Sequence, residues 1–544
     1  MSHPSWRYGL AALVVAWLVD LLFWQTPPGV SFFLWTLCAV AAGFILARLE
    51  GVRPSPWSYP VGLAVLIFSG VVGARAELFT RFISIALALG GLMLLAGTFR
   101  TGNWVAYRTW DYVPAFFKLL GAVLTRPAEL FKRGPAANGT PSANQVSLRK
   151  GSRGALRVLV GLVLALPVLA VFATLLSSAD PIFSERLSNL LSSFDISHLG
   201  EYIFRLFYIL VFAFLFSGVY LHAVRPAQAE PRTDPQAKFW LQPFLGWVEA
   251  GMVLALVDLM FAFFVGIQFW YFFGGQANIS TSGFTFADYA RRGFFELVAV
   301  AVISLLLYLG LATVTRRETA FQKRGFTVLS VFLIAMVLVM LVSAFQRLML
   351  YEGAYGFTEL RMYTHIFMIW LGLLLVATVV FELLGRGQHF GLALMLTIVG
   401  FGLTFGFYNI EDAIVHQNVA RGRLDQPVAA ADSRQSVTLD TAYLGSLSSD
   451  AVPALVDEFR RAGQPQAVHD ALGAVLACRV FQLQQNPAGT AWQSFNLAEA
   501  RADDLLVQAQ AEWSTYKVVA TDQGPVVKVS GADRFCFSSL SPID

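Results

Sequence analysis

The stretch Leu297-Val-Ala-Val-Ala-Val-Ile-Ser-Leu-Leu-Leu-Tyr-Leu-Gly-Leu-Ala-Thr-Val314 runs eighteen residues without a charge. A helix of about twenty residues crosses a hydrocarbon core of roughly 30 Å, and in that core the backbone must satisfy its own hydrogen bonds. The stretch has no polar face to offer water, so neither strand nor amphipathic periodicity describes it. Comparable blocks recur at about 8–25, 29–47, 59–75, 78–98, 155–177, 203–223, 245–272, 293–314, 325–349, 364–384 and 390–410. Composition agrees, because 56% of the 544 residues are hydrophobic and only 14% are charged, against about 25% charged in soluble proteins. The sequence therefore predicts an all-α polytopic membrane protein with about eleven transmembrane helices. The first block is no signal peptide: it ends in Phe23, Trp24 and Gln25 instead of a small-residue cleavage site, and a second block follows after a short turn.

Lys and Arg collect in alternate loops, and such loops stay cytoplasmic. Arg7, the pair Arg48 and Arg53, the dense set from Arg100 to Arg153, Arg225 with Arg232 and Lys238, the group Arg316, Arg317, Lys323 and Arg324, and Arg386 all fall on one side. With an odd number of spans the N-terminus is cytoplasmic and the tail is extracytoplasmic, while Arg291, Arg292 and Arg361 dissent. This gives four parts: helices 1–4 in residues 1–99, a connector at 100–154, helices 5–11 in 155–410, and a soluble tail domain, α+β or mostly helical, at 411–544. Within the connector, 104–131 suits an amphipathic helix at an anionic headgroup surface, and 135–144 is polar and rich in Pro and Gly, as disordered segments are. In the tail, a helix is expected from Ser448 to about Ala462, a second over 466–485 and a third over 495–513. Lys517-Val-Val-Ala and Val526-Val-Lys-Val-Ser form the strands of a hairpin. Cys478 and Cys536 stand together in the tail, as a disulfide closing a long loop or as two buried thiols.

Chemistry-bearing residues gather where several spans end. Tyr289, Arg292 and Glu296 share one helical face; Arg347, Tyr351, Glu352, Tyr355, Thr358, Glu359, Arg361 and Tyr363 surround the turn between the ninth and tenth spans; Asn409, Asp412 and His416 share a face if the last span runs on. Two readings of this outer-face cluster stand side by side. In one, Tyr and Arg anchor helix ends at the headgroup level and dock the tail. In the other, Arg292, Arg347 and Arg361 bind an anionic headgroup or substrate, with Asp412 and His416 as an acid/base pair. No metal site is indicated, because two ligands do not make one. Among carboxylates within apolar blocks (Asp20, Glu249, Asp258 and Glu382), Asp258 lies most clearly in mid-membrane, as a proton carrier or as a neutral acid bonded to a neighbouring helix.

Tyr289-Ala-Arg-Arg-Gly-Phe-Phe-Glu-Leu297, Tyr351-Glu-Gly-Ala-Tyr-Gly-Phe-Thr-Glu-Leu-Arg361 with Tyr363, Asn409-Ile-Glu-Asp-Ala-Ile-Val-His-Gln-Asn-Val-Ala-Arg421, Asp440-Thr-Ala-Tyr-Leu444 and Asp450-Ala-Val-Pro-Ala-Leu455 resemble the bacterial membrane proteins catalogued as domain of unknown function 4173. The resemblance implies a polytopic protein of the bacterial cytoplasmic membrane and supplies no reaction or cofactor. Three function classes follow: a non-enzymatic envelope sensor, scaffold or accessory factor meeting a lipid headgroup or protein partner; a secondary transporter using Asp258; or a membrane-embedded enzyme acting on a lipid-linked anion. The first is favoured because no active site can be assigned. Without a Gly-rich phosphate loop, and with the basic residues in topology-setting loops, ATPase and nucleic-acid roles are disfavoured.

Overall fold

The computed structural model describes residues 6–131, 169, 172–180, 182–184, 186, 199–225, 243–273, 294–424, 439–485, 491–522, 524–529 and 532–536. Tyr289, Arg292, the polar segment 135–144 and most of the expected span 155–177 lie outside the described residues. The chain forms two compact units, residues 1–24, 41–53 and 118–225 in one and residues 25–40, 54–117 and 226–544 in the other. The division falls within α2 (Val30–Leu49) and within α5 (Tyr112–Thr125).

In the first unit α1 (Trp6–Phe23) packs along α6 (Leu199–Val224). A carboxylate on an apolar helix is costly unless paired. Asp20 is paired: the Arg205 guanidinium forks onto it at 2.8 and 2.7 Å, and the Tyr208 hydroxyl also donates to it. Trp24 stacks on Tyr208 and lies beneath the Arg205 cation.

The second unit holds α3 (Ser58–Ala74), α4 (Leu78–Thr98), α7 (Trp247–Phe273), α8 (Phe294–Val314), α9 (Ala320–Tyr355), α10 (Glu359–Leu383) and α11 (Phe390–Phe407). Among the described residues of the whole chain, nine helices are long and apolar enough to cross a membrane, and α3 is a shorter apolar helix of 17 residues. The chain is thus an all-α polytopic membrane protein with a small C-terminal domain. Helix α9 is the centre of its group, packing on α7, α8 and α10 with Phe326, Leu333, Val337 and Ala344 fully buried. It has 36 residues, about 54 Å of helix, well beyond the bilayer core.

At the bundle end away from the tail, Glu382 accepts from Tyr308 at 2.7 Å and Thr327 at 2.8 Å, with Arg317 at 3.7 Å. These join the last turns of α8 and α10 to the first turns of α9. At the same end, Ser58 at the start of α3 donates to the Phe99 carbonyl after α4, and Trp104 donates to the Trp57 carbonyl.

The tail comprises α12 (Ile410–Leu424), α13 (Thr441–Ser446), α14 (Val452–Arg460), α15 (Gln466–Gln485), α16 (Leu497–Gln508) and the strands β1 (Val518–Thr521), β2 (Gly524–Val529) and β3 (Ala532–Phe535). Helix α15 is its hub: Leu472, Val475 and Leu476 are buried against α12, α14 and α16. The antiparallel sheet runs β1-β2-β3, pairing Val519 with Val526 and Val527 with Arg534. Its hairpin turns at Gly524, whose φ of 119° suits glycine alone. The third strand was not expected, because Ala532-Asp-Arg-Phe535 is short and half charged. It is fixed where Cys536 joins Cys478 on α15, with the Cα atoms 5.4 Å apart.

Two boundaries differ from the sequence expectation. Residues 352–355, read as loop, are the last turn of α9, while Arg361 and Tyr363 belong to α10, so the connection shrinks to 356–358. Gly356 at φ 82° makes this sharp turn. The last span does not run on either: α11 stops at Phe407, and Asn409 caps a new helix by accepting from the Asp412 amide at 3.2 Å. Asn409 is therefore not one face of a continuous helix with Asp412 and His416.

Candidate functional site

Where the tail meets the helix ends, the two are joined by buried side chains whose partners are distant in sequence. The turn between α3 and α4 presents the amides of Ala76 and Glu77 and the Arg75 guanidinium, and all three donate to the Asp450 carboxylate, at 2.7, 2.9 and 3.3 Å. Asp450 is only 4% exposed, and its burial is tolerable because each oxygen is satisfied. Arg75 also donates to the carbonyls of Gly406 and Phe407, at 3.1 Å each, closing the end of α11. Asn409 donates to the Asp450 carbonyl at 2.9 Å. Glu77 caps α4 by accepting from Phe79 and Thr80, and Tyr363 donates to it at 2.6 Å. Asn496 caps α16 and donates to the Arg75 carbonyl at 2.7 Å. The amide of Val30, at the start of α2, donates to the Phe495 carbonyl at 2.9 Å; a Cβ on Gly29 would sit 2.6 Å from that oxygen, so the approach requires glycine.

Beside this latch lies a crowded set of carboxyls. Glu411 accepts from the Ser448 amide and hydroxyl at 2.7 and 2.6 Å and shares a hydrogen bond with Glu359. Two carboxyls can share a hydrogen bond only if one keeps its proton. Burial pushes Glu411 up to about 8, the Ser448 donors oppose the rise, and the charges of Glu359 and Asp450 add to it. Arg479 on α15 faces the same carboxyl, and burial weakens its own hold on a proton. The Tyr443 hydroxyl accepts the Glu359 amide at 2.8 Å. Glu411 shares the apolar face of α12 with Ile410, Ile414, Val415 and Val419, all buried. A carboxyl on an apolar face is a signal the sequence does carry.

The residues singled out from the sequence are divided by the structure. His416 bonds Glu458 of α14 through Nδ1 at 2.7 Å, while Asp412, 40% exposed, stands 3.7 Å from its other ring nitrogen. Tyr351 lies under the Arg361 cation at 4.3 Å and packs on Tyr355. Arg361 donates to the Gly356 carbonyl. Arg347 is buried, and Glu296 is exposed. Asn418 clamps the turn after α9, accepting the Phe357 amide and donating to its carbonyl at 2.8 Å each. Asp258 and Gln268 are buried in α7, with no hydrogen-bond partner for either side chain among the described residues. No local pattern pairs Arg75, Glu77, Asp450 and Asn496, because their mutual partners lie hundreds of residues apart.

Two cavities open at this level. The larger, about 460 Å³, has Ile67 and Val71 of α3 on one wall and Arg75, Asn409, Asp450 and Arg501 around its polar side. The smaller, about 190 Å³, is lined by Phe295, Leu348, Tyr351, Thr358, Arg361 and Thr364. Neither is lined by Asp412 or His416. Among the described residues no group of three or more His, Cys, Asp or Glu is placed to hold a metal ion.

A family model described as "Domain of unknown function (DUF4153)" matches residues 61–458. Its number differs from the 4173 family that the motifs resemble; a polytopic family without an assigned role is common to both. No curated protein and no solved structure matches the chain.

Proposed function

The chain belongs to the DUF4153 family, and from that premise we propose that it is a non-enzymatic factor of the bacterial cytoplasmic membrane, a scaffold or sensor whose tail is presented on the extracytoplasmic side. One observation carries the reading: Asp450, Glu77, Glu411, His416 and Asn496, the groups with catalytic potential at the junction, are bonded to structural partners in the turns and the tail. Such an arrangement fixes the tail to the bundle and ties up these side chains in structural bonds. The bond between Cys478 and Cys536 suits an oxidising compartment. Arg75 and Arg81 run against the charge bias on the tail side, but both are engaged, Arg75 by Asp450 and Arg81 by the Pro28 carbonyl. A transporter reading draws support from Asp258, buried in α7 with no partner among the described residues.

The test is compartment-specific labelling with a membrane-impermeant maleimide. Ser514→Cys in the exposed tail should label in intact cells, and Glu318→Cys between α8 and α9 only in inverted vesicles. The reverse pattern would place the tail in the cytoplasm and end the envelope reading.

A further inference from the structure

The larger cavity combines two surfaces that water-soluble ligands do not need together. Ile67 and Val71 come from the short apolar helix α3 and Phe407 from the end of α11, a helix long and apolar enough to cross a membrane, and Phe407 is 72% exposed. Across from them, α16 presents Leu497, Ala498 and Arg501 on one face. Arg501 is exposed and makes no hydrogen bond or ion pair among the described residues. The Asp450 carboxylate in the same wall is turned to Arg75 and the Ala76 and Glu77 amides, so its charge is already answered. Glu499 and Asp503 each stand about 200° around α16 from Arg501, off the lining face, while Asp504 shares the face one turn beyond Arg501, outside the lining and without an ion pair to Arg501 among the described residues. At about 460 Å³ the space lies within the range of small-molecule pockets, roughly 300–1,000 Å³.

We propose that this cleft binds a single anionic membrane lipid, its headgroup on Arg501 and its upper acyl chain along Ile67 and Val71. A planar guanidinium matches a phosphodiester through paired N–H donors. In this reading the acyl chain enters the cleft laterally, along the apolar residues of α3. The lipid then contacts bundle and tail at once and adds to the latch that joins them. The cleft is distinct from the site of Arg347 and Arg361, neither of which lines it.

The experiment uses the full-length protein in phosphatidylcholine nanodiscs containing a minor fraction of phosphatidylglycerol with a diazirine near its glycerol. Crosslinks should map to 67–75 and 497–501, and Arg501→Glu and Arg501→Gln should each lower their yield about tenfold, the scale of one lost charged hydrogen bond. Gly70→Trp should do the same by filling the space, since Gly70 lines the cleft and a Cβ there meets only the Phe33 ring, at 3.8 Å. Excess glycerol phosphate should fail to compete, since it lacks the apolar part. Crosslinks scattered over the helices, equal yield with a diazirine-bearing phosphatidylcholine, or full competition by glycerol phosphate would each overturn the proposal. Unchanged melting of the Arg501 variants in detergent free of anionic lipid separates lost binding from lost fold. Because the readout is indifferent to which side the tail occupies, its failure leaves the labelling experiment standing, and the converse holds too.

Discussion

The two ends of the larger unit solve the same problem differently. Away from the tail, one carboxylate, Glu382, is held by two hydroxyls and an arginine contributed by α8, α9 and their connection. It is surrounded by donors, and among the described residues no second acid is bonded to them. On the tail side four acids meet: Glu77, Glu359, Glu411 and Asp450. Asp450 takes the arginine and two backbone amides, which leaves Glu359 and Glu411 to share a hydrogen bond and a proton. One end is neutralised by cations and hydroxyls, the other in part by protonation. The second therefore answers to pH.

The largest effect expected is from Asp450→Ala. It leaves Arg75 and two turn amides without their acceptor, and removing one side of a buried ion pair costs about 3–5 kcal/mol. Thermal melting in detergent should fall accordingly, and limited proteolysis should reach α14 and α16 sooner; an unchanged melt would mean that the latch contributes little.

The next effect is the pH slope. Glu411 titrates in the folded protein at about 8, against an ordinary 4.5, so the folded state binds more protons than the unfolded one. Its stabilising contribution is complete below the ordinary value and is lost as pH rises through about 8. Glu359, Asp450 and Arg479 face it from α10, from the turn before α14 and from α15, and Ser448 donates to it. Stability should fall by roughly 2–4 kcal/mol between pH 5 and 9, and Glu411→Gln should flatten that slope. A wild-type melt as flat as the variant's would erase the contrast between the two ends.

Glu382→Ala should cost about 2 kcal/mol, read as a lower melting temperature in detergent, by leaving the Tyr308 and Thr327 hydroxyls unpaired. An unchanged melt would show that these hydroxyls find other partners. The smallest expected change is Asn496→Ala, about 1 kcal/mol for a lost helix cap, read as earlier proteolysis at α16 with little shift in the main melt.

The spans were legible because a block such as 297–314 admits only one structure in a membrane, and the helix Gln466–Gln485 and the hairpin were legible from local pattern. The junction was not. Local spacing grouped Asn409, Asp412 and His416 by extending α11 through a break at Tyr408, and it passed over Glu411 between them. Asp450 and Asn496 find their partners more than 370 residues earlier in the chain, beyond the reach of any periodicity. Legible too was the pair Cys478 and Cys536 as neighbours in one domain, but not the third strand that Cys536 secures.

The distance in sequence between the α3–α4 turn and the side chains that satisfy it has a meaning for biogenesis. During translation Arg75, Ala76 and Glu77 emerge long before Asp450 does. Until then, the turn that joins two inserted helices exposes donors with no acceptor. The same holds for the Val30 amide, which waits for Phe495, and for the Phe357 amide, which waits for Asn418. Three early turns are thus completed by late segments, so the finished packing of the membrane part registers whether the tail has been made and folded.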